Sequence, residues 1–170
     1  MEARRLIAAL AAAALLGFAG CGDDDDDGAD SGSTTAETET TVSEDVDTSE
    51  RPDVTVPEGE APAGLEIRDI VEGDGATAKV GDSVTVDYVG VAYSTGKEFD
   101  ASWNSGQPFT FTVGQGAVIP GWDQGIPGMK IGGRRELVIP PDLAYGEQGA
   151  PPDIGPNETL IFVVDLRGVG

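Results

Sequence analysis

From Leu65 onward the apolar residues of this chain come in short alternating runs, broken by glycine, proline, asparagine and aspartate. Leu65, Ile67 and Asp69 alternate with polar neighbours, and Val84, Val86, Tyr88 and Gly90 take one face of a longer run. Phe109, Phe111 and Val113 take another; Leu137 with Ile139, then Leu160, Phe162, Val164 and Leu166, complete the set. A period of two puts one face of a strand on a core and leaves the other to solvent. Five such strands within about a hundred residues predict an antiparallel sheet. No stretch after Gly64 sustains a 3.6-residue period, so any helix is short and the class is α+β.

The stretch VIPGWDQGIPG, residues 118–128, sets a large indole among three glycines and two prolines, residues that break helices and strands. Pro120 suits the first position of a single helical turn, with Trp122 inside it and Gly125 or Gly128 ending it. Such a turn can lay Trp122 on the apolar face of the sheet. On its own an indole there is a core plug. Five further aromatic residues, Tyr88, Phe99, Phe109, Tyr145 and Phe162, bring in a second reading, because a concavity lined by aromatics with a few polar groups is the usual form of a small-ligand pocket.

The rest of the chain differs in composition. Residues 1–21 carry one acid and two bases, residues 22–63 fifteen acids and one base, and residues 64–170 fifteen acids and seven bases. A domain at net −8 with no basic cluster lacks the electrostatic footprint of a nucleic-acid binder. Residues 1–20 read as a signal peptide: Arg4 and Arg5, an apolar run from Leu6 to Leu16, then small residues. That run is short for a membrane-spanning helix, which wants about 18 residues or more.

Cys21 is the sole cysteine, and FAGC resembles a bacterial lipobox in which the cysteine is lipidated. The alternative is a free thiol behind an ordinary signal peptide. A lipid on Cys21 would hold the domain to the extracytoplasmic face of the cell membrane without a spanning helix. Residues 21–63 contain no aromatic residue and are dense in Asp, Glu, Thr, Ser and Pro, so they are expected to form an extended, disordered tether with nothing to pack. Asp23, Asp25, Asp27 and Gly28 open like a calcium loop, but the twelfth position holds Thr34 rather than glutamate, which excludes that site. Asn157-Glu158-Thr159 is read as a turn rather than a glycosylation acceptor.

Over residues 64–170 the motifs VTVDYVG, GKEFDASW, QPFTFTVGQGAVIPGWDQGIPGMKIGGRRELVIPPDLAYGEQG and NETLIFVVDL resemble, in order and spacing, an FK506-binding-protein (FKBP)-type peptidyl-prolyl isomerase domain. The resemblance implies a half-barrel antiparallel sheet wrapped around one short α-helix, with the substrate's proline ring resting on Trp122. It implies a pocket of Tyr88, Phe99, Asp100, Phe109, Val118, Ile119, Trp122, Tyr145, Ile154 and Phe162, with Asp100, Tyr145, Phe99 and Trp122 carrying catalysis. It also implies proline-containing polypeptides as substrates and FK506-like macrolides as inhibitors, and no helical arm suggests anything but a monomer. Where many relatives pair the Asp100 equivalent with an arginine, Ser105 stands here; Ala150 and Asp153 make the loop after Tyr145 more polar, which should weaken macrolide binding.

The chemistry suits these residue types. Rotating an X-Pro bond crosses about 18–20 kcal/mol because amide resonance is lost, and no bond is made or broken. No cofactor, metal or nucleophile is needed, only a pocket that favours the twisted amide. A chain with no histidine and its single cysteine outside the domain has no Ser-His-Asp or Cys-His set and no ordinary zinc site. A non-catalytic, proline-binding chaperone module is the competing expectation.

Overall fold

The computed structural model describes residues 46–170; the signal segment, Cys21 and the first part of the acidic stretch lie outside the described residues. Six strands form one antiparallel sheet: β1 Glu66–Val71, β2 Ser83–Ala92, β3 Glu98–Ala101, β4 Phe109–Thr112, β5 Arg134–Ile139 and β6 Leu160–Val169. Their order is β1-β5-β6-β2-β3, with β4 paired to the first half of β2. Among the described residues the α-helices are α1, Ser102–Ser105, and α2, Pro120–Gly125, with single 3-10 turns at Pro141–Leu143 and Gly146–Gln148.

The five expected strands are present, and β3 is the sixth. EFDA is too short to show a period, and its pairing to Val89–Val91 of β2 comes from the hairpin rather than from its own alternation. The short helix expected around Trp122 is α2, and α1 adds a further single turn directly after β3.

The alternation sorts the sheet into two apolar faces. Inward lie Val84, Val86, Phe111, Leu137, Ile139, Leu160, Phe162, Val164 and Leu166, covered by Trp122, Ile126 and Met129. Seating α2 against this face requires glycine. A Cβ on Gly121 would collide with the Ile139 side chain, and one on Gly125 would lie 2.7 Å from Leu137 Cδ2. The glycines around Trp122 are therefore the condition for its burial, not an obstacle to it. Arg135 of β5 holds the end of this helix by donating to the carbonyls of Gly125 at 2.8 Å and Pro127 at 3.2 Å, while pairing with Asp69 of β1 at 2.6 Å.

The outer face is apolar too, with Val89, Val91, Ala101, Val138 and Ile161, and it is covered by Val54, Val56, Tyr93 and Trp103. This corrects the expectation for residues 46–63, which are not a free tether. They form a strap across the sheet. Pro52 is buried, and the Tyr93 hydroxyl donates to the carbonyls of Pro57 and Glu60. Arg134 donates to the carbonyls of Thr48 and Glu50, at 3.3 and 2.6 Å, and Arg167 to that of Thr48 at 2.7 Å.

The two arginines also hold Asp165, which is 0% exposed. Arg134 pairs with it at 2.6 Å and Arg167 reaches it at 3.5 Å. Burial pushes the Asp165 carboxyl above its ordinary value, and the guanidinium of Arg134, bonded to it, works in the opposite direction. A buried pair of this kind tolerates no missing partner, and the strap carbonyls accept further hydrogen bonds from the Nη2 groups of both arginines.

Because the strap fills an apolar face and supplies hydrogen-bond acceptors, a chain beginning at Asp45 should melt like the full chain. One beginning at Gly64 should melt lower by roughly 5–10 °C, the shift that about 1–2 kcal/mol produces in a domain of this size. Calorimetry of the two truncations decides this, and equal melting temperatures would show that the strap adds no stability.

Candidate active site

Above α2 the inner face of the sheet opens into a cavity of about 290 Å³ lined by Tyr88, Phe99, Asp100, Phe109, Ala117, Val118, Ile119, Trp122, Tyr145 and Phe162. Trp122 is 4% exposed, and four rings meet it: Tyr88 at 5.1 Å between centroids, Phe162 at 5.2 Å and Phe109 at 6.4 Å edge-on, and Phe111 at 5.6 Å tilted by 50°. Phe99 stands edge-on to Phe162 at 5.4 Å. Edge-to-face contacts suit the charge distribution of aromatic rings and fix their orientation. The indole N–H of Trp122 has no hydrogen-bond partner among the described residues, at a cost of about 1–3 kcal/mol.

Gly90 makes this ring arrangement possible. A Cβ there would stand 2.7 Å from Phe162 Cε1 and 2.8 Å from Phe99 Cζ, so no side chain fits between them. The only sequence signal for this role is a glycine at the position where the β2 alternation calls for a bulky inward residue.

Three polar groups face the mouth. Tyr88 donates its hydroxyl to Asp100 Oδ2 at 2.6 Å. The backbone N–H of Ile119, at the N-cap of α2, and the hydroxyl of Tyr145, a residue 41% exposed, have no hydrogen-bond partner among the described residues. Burial pushes the Tyr88 hydroxyl above its ordinary value, and its hydrogen bond to Asp100 and that carboxylate's charge add to the effect. Burial raises Tyr145 as well, with the Asp100 charge second. Both hydroxyls therefore remain donors at neutral pH.

Two further side chains hold the mouth in shape. The carboxylate of Asp123, the residue after Trp122, accepts the N–H groups of Gly114 at 2.7 Å and Gly116 at 2.9 Å, which pins the loop carrying Ala117, Val118 and Ile119 to α2. Ser102 of α1 accepts the Tyr88 backbone N–H at 3.0 Å and donates to Asp87 at 2.9 Å; Asp87 in turn pairs with Arg167 at 2.8 Å. Sequence reading passed over both. The clue for Asp123 was an acid in the first turn of α2, close behind a Gly-x-Gly loop.

Nine of the ten residues assigned to the pocket line it, and Ile154 does not. Its backbone pairs with Ala150 in both directions at 3.0 Å, closing the loop so that the side chain, 5% exposed, turns into the core. Ala117 lines the cavity, a position sequence reading did not assign. Ser105 makes no hydrogen bond to Asp100; its hydroxyl donates to the Ser102 carbonyl at 2.8 Å. Among the described residues no three His, Cys, Asp or Glu side chains are grouped to hold a metal ion.

Residues 75–167 match the family model described as FKBP-type peptidyl-prolyl cis-trans isomerase. The chain is 62% identical over 121 residues to a protein of Streptomyces anulatus named FK506-binding protein, covering 71% of this chain and 98% of that one. That match is longer than the stretch from Gly64 to Gly170, so it includes part of the strap. A probable FK506-binding protein of Corynebacterium glutamicum is 49% identical over 117 residues, covering 69% of this chain and 97% of its own. Among solved structures, AtFKBP13 superposes with a TM-score of 0.59 at 43% identity, covering 65% of this chain and 96% of that one. FkpA from Escherichia coli gives 0.57 at 45% identity, covering 62% and 48%.

The raised Tyr88 value ties the site to alkaline stability. Below the unfolded-state value of 10.0 the stabilisation is complete, and it is lost as the pH rises from there towards the folded-state value. Denaturation titrations above that pH should show the full chain losing stability with a steeper slope than Tyr88→Phe. Identical slopes would mean that the Tyr88 hydroxyl is not held by the fold.

Proposed function

The chain belongs to the FKBP-type peptidyl-prolyl cis-trans isomerases, and from that premise we propose that it accelerates X-Pro rotation in exported polypeptides by holding a twisted amide in the cavity above Trp122. The observation that carries this reading is the combination, in one place, of an aromatic enclosure with two unbonded donors at its mouth. The proline ring rests on the indole of Trp122, between Tyr88, Phe99, Phe109 and Phe162.

Amide resonance puts negative charge on the carbonyl oxygen and is greatest in the planar cis and trans forms. Apolar walls and the Asp100 carboxylate both disfavour that charge, so they raise the planar forms relative to the twisted one. Tyr88 fixes the carboxylate in place. The Ile119 N–H and the Tyr145 hydroxyl bind carbonyls of the flanking residues and hold the peptide while the proline bond turns. Macrolides of the FK506 type would compete for this cavity, weakened by the polar loop that carries Ala150 and Asp153. The protein acts as a monomer.

Cys21 lies outside the described residues, and the location of the protein rests on sequence. With a lipid on Cys21 after removal of residues 1–20, residues 22–45 would be the tether, and the domain with its strap would stand off the extracytoplasmic face of the membrane. Among the described residues no helix is long and apolar enough to cross a membrane.

Two experiments test the reading. Asp100 is exposed, so Asp100→Val should leave the melting temperature nearly unchanged while lowering kcat/KM on prolyl peptides by about tenfold, or about 1.4 kcal/mol of transition-state stabilisation. Full turnover in that variant would remove the carboxylate from the mechanism, and absence of turnover in the parent chain would leave a proline-binding module instead. For the location, Cys21→Ser should move the protein out of the membrane fraction or leave its signal uncleaved, with activity per folded molecule unchanged. Unaltered membrane fractionation at the mature mass would end the lipoprotein reading.

A further inference from the structure

A second groove, of about 530 Å³, opens from the proline cavity on the side of β3, α1 and β4. It shares Tyr88, Phe99, Asp100 and Phe109 with that cavity and continues past Asn104, Ser105 and Gln107. The shared lining places this groove where a residue flanking a proline held in that cavity could reach.

What distinguishes the groove is its charge. Asp100 is the only ionisable residue but tyrosine among its lining, and no lysine or arginine belongs to it. One carboxylate oxygen, Oδ2, is occupied by the Tyr88 hydroxyl; Oδ1 has no partner among the described residues. The nearby cations are engaged elsewhere. Arg51 bonds Glu98 and Asn104, and Lys97 lies 3.9 Å from Asp153. Among the described residues Asp100 takes part in no salt bridge. Ser105, on the rim, is too short to supply a charge, and its hydroxyl already closes the turn after α1.

Resting on the assignment of the cavity to proline, we infer that this groove is a specificity subsite for a basic residue beside the substrate proline, whose ammonium or guanidinium pairs with the free oxygen of Asp100. The rest of the domain works in the same direction, since residues 64–170 carry net −8 and attract cationic peptides. An acidic residue in the groove would meet the uncompensated carboxylate and be rejected.

The test uses prolyl peptides that differ only in carrying Lys, Leu or Glu immediately before or immediately after proline, assayed at low ionic strength. At one of the two positions kcat/KM for the lysine peptide should exceed that for the glutamate peptide by about tenfold, with leucine between them. Ser105→Arg supplies the missing cation from the chain itself and should shrink the difference to about twofold or less, while Ser105→Gln, long but neutral, should keep it. Ser105→Gln should turn over the leucine peptide within about twofold of the parent rate, and for Ser105→Arg, which also engages the Asp100 carboxylate, the quantity read is the ratio between lysine and glutamate peptides, which a loss common to all three peptides leaves unchanged. If Ser105→Arg fails to fold, Gln107→Arg introduces a cation from the same rim and should have the same effect. Normal turnover of the leucine peptide without a lysine advantage would overturn the subsite and spare the isomerase. A lysine advantage that survives both arginine variants would assign it to the acidic surface at large and also overturn the subsite. No turnover of the leucine peptide would defeat the isomerase reading and this inference with it.

Discussion

The close approach of α2 to β5 is the contact on which the rest of the structure depends. With Gly121 on Ile139 and Gly125 on Leu137, the helix lies low enough for Trp122 to reach the aromatic residues of β2, β4 and β6. A side chain on either glycine would lift the helix and the indole with it, since packed interiors have no slack to absorb a methyl group. The core and the cavity therefore share one cause. The indole is the last layer of the core seen from below and the floor of the site seen from above.

The site is also held from behind. Tyr88 presents its ring to the cavity and its backbone N–H to Ser102, which bonds Asp87, which pairs with Arg167. Arg167 and Arg134 share Asp165 and the carbonyls of the strap. This chain of hydrogen bonds runs from the strap to the strand carrying the residue that orients Asp100. Each member is satisfied by the next, the condition under which a buried polar network adds rigidity instead of cost. Arg167 also lies over the Trp103 ring at 5.7 Å, which fastens α1 to the same network.

The strap shows why composition is a poor guide to order when the partner is remote. Residues 46–63 are acidic, Thr- and Pro-rich and without aromatics, and taken alone they have too little apolar surface to fold. They dock because the outer face of the sheet is apolar around Val89, Val91 and Ile161 and because two arginines behind it need acceptors. Both needs belong to strands far along the chain. Only two valines and a proline of the strap are called upon, and its backbone carbonyls contribute regardless of side chain.

The sequence by itself determined five of the six strands and the helix that carries Trp122, because each depends on local signals, while most of the cavity lining was legible through the resemblance of its motifs to a known family. Period-two alternation assigns faces, Pro120 starts a helix, and Trp122 among glycines marks a helix pressed against a sheet. Residue type likewise left no Ser-His-Asp or Cys-His set and no ordinary zinc site, because the chain has no histidine and its one cysteine lies outside the domain. Tertiary structure alone decided what depends on distance between remote residues. Gly90 matters because Phe99 and Phe162 converge on it, and Asp123 because a loop folds back within its reach. Ile154 turned inward when its backbone closed on Ala150, and Asp100 was left with a tyrosine and no cation because no base lines its groove and Arg51 and Lys97 pair with Glu98 and Asp153. Pairing and register bring such groups together, and a list of residues holds neither.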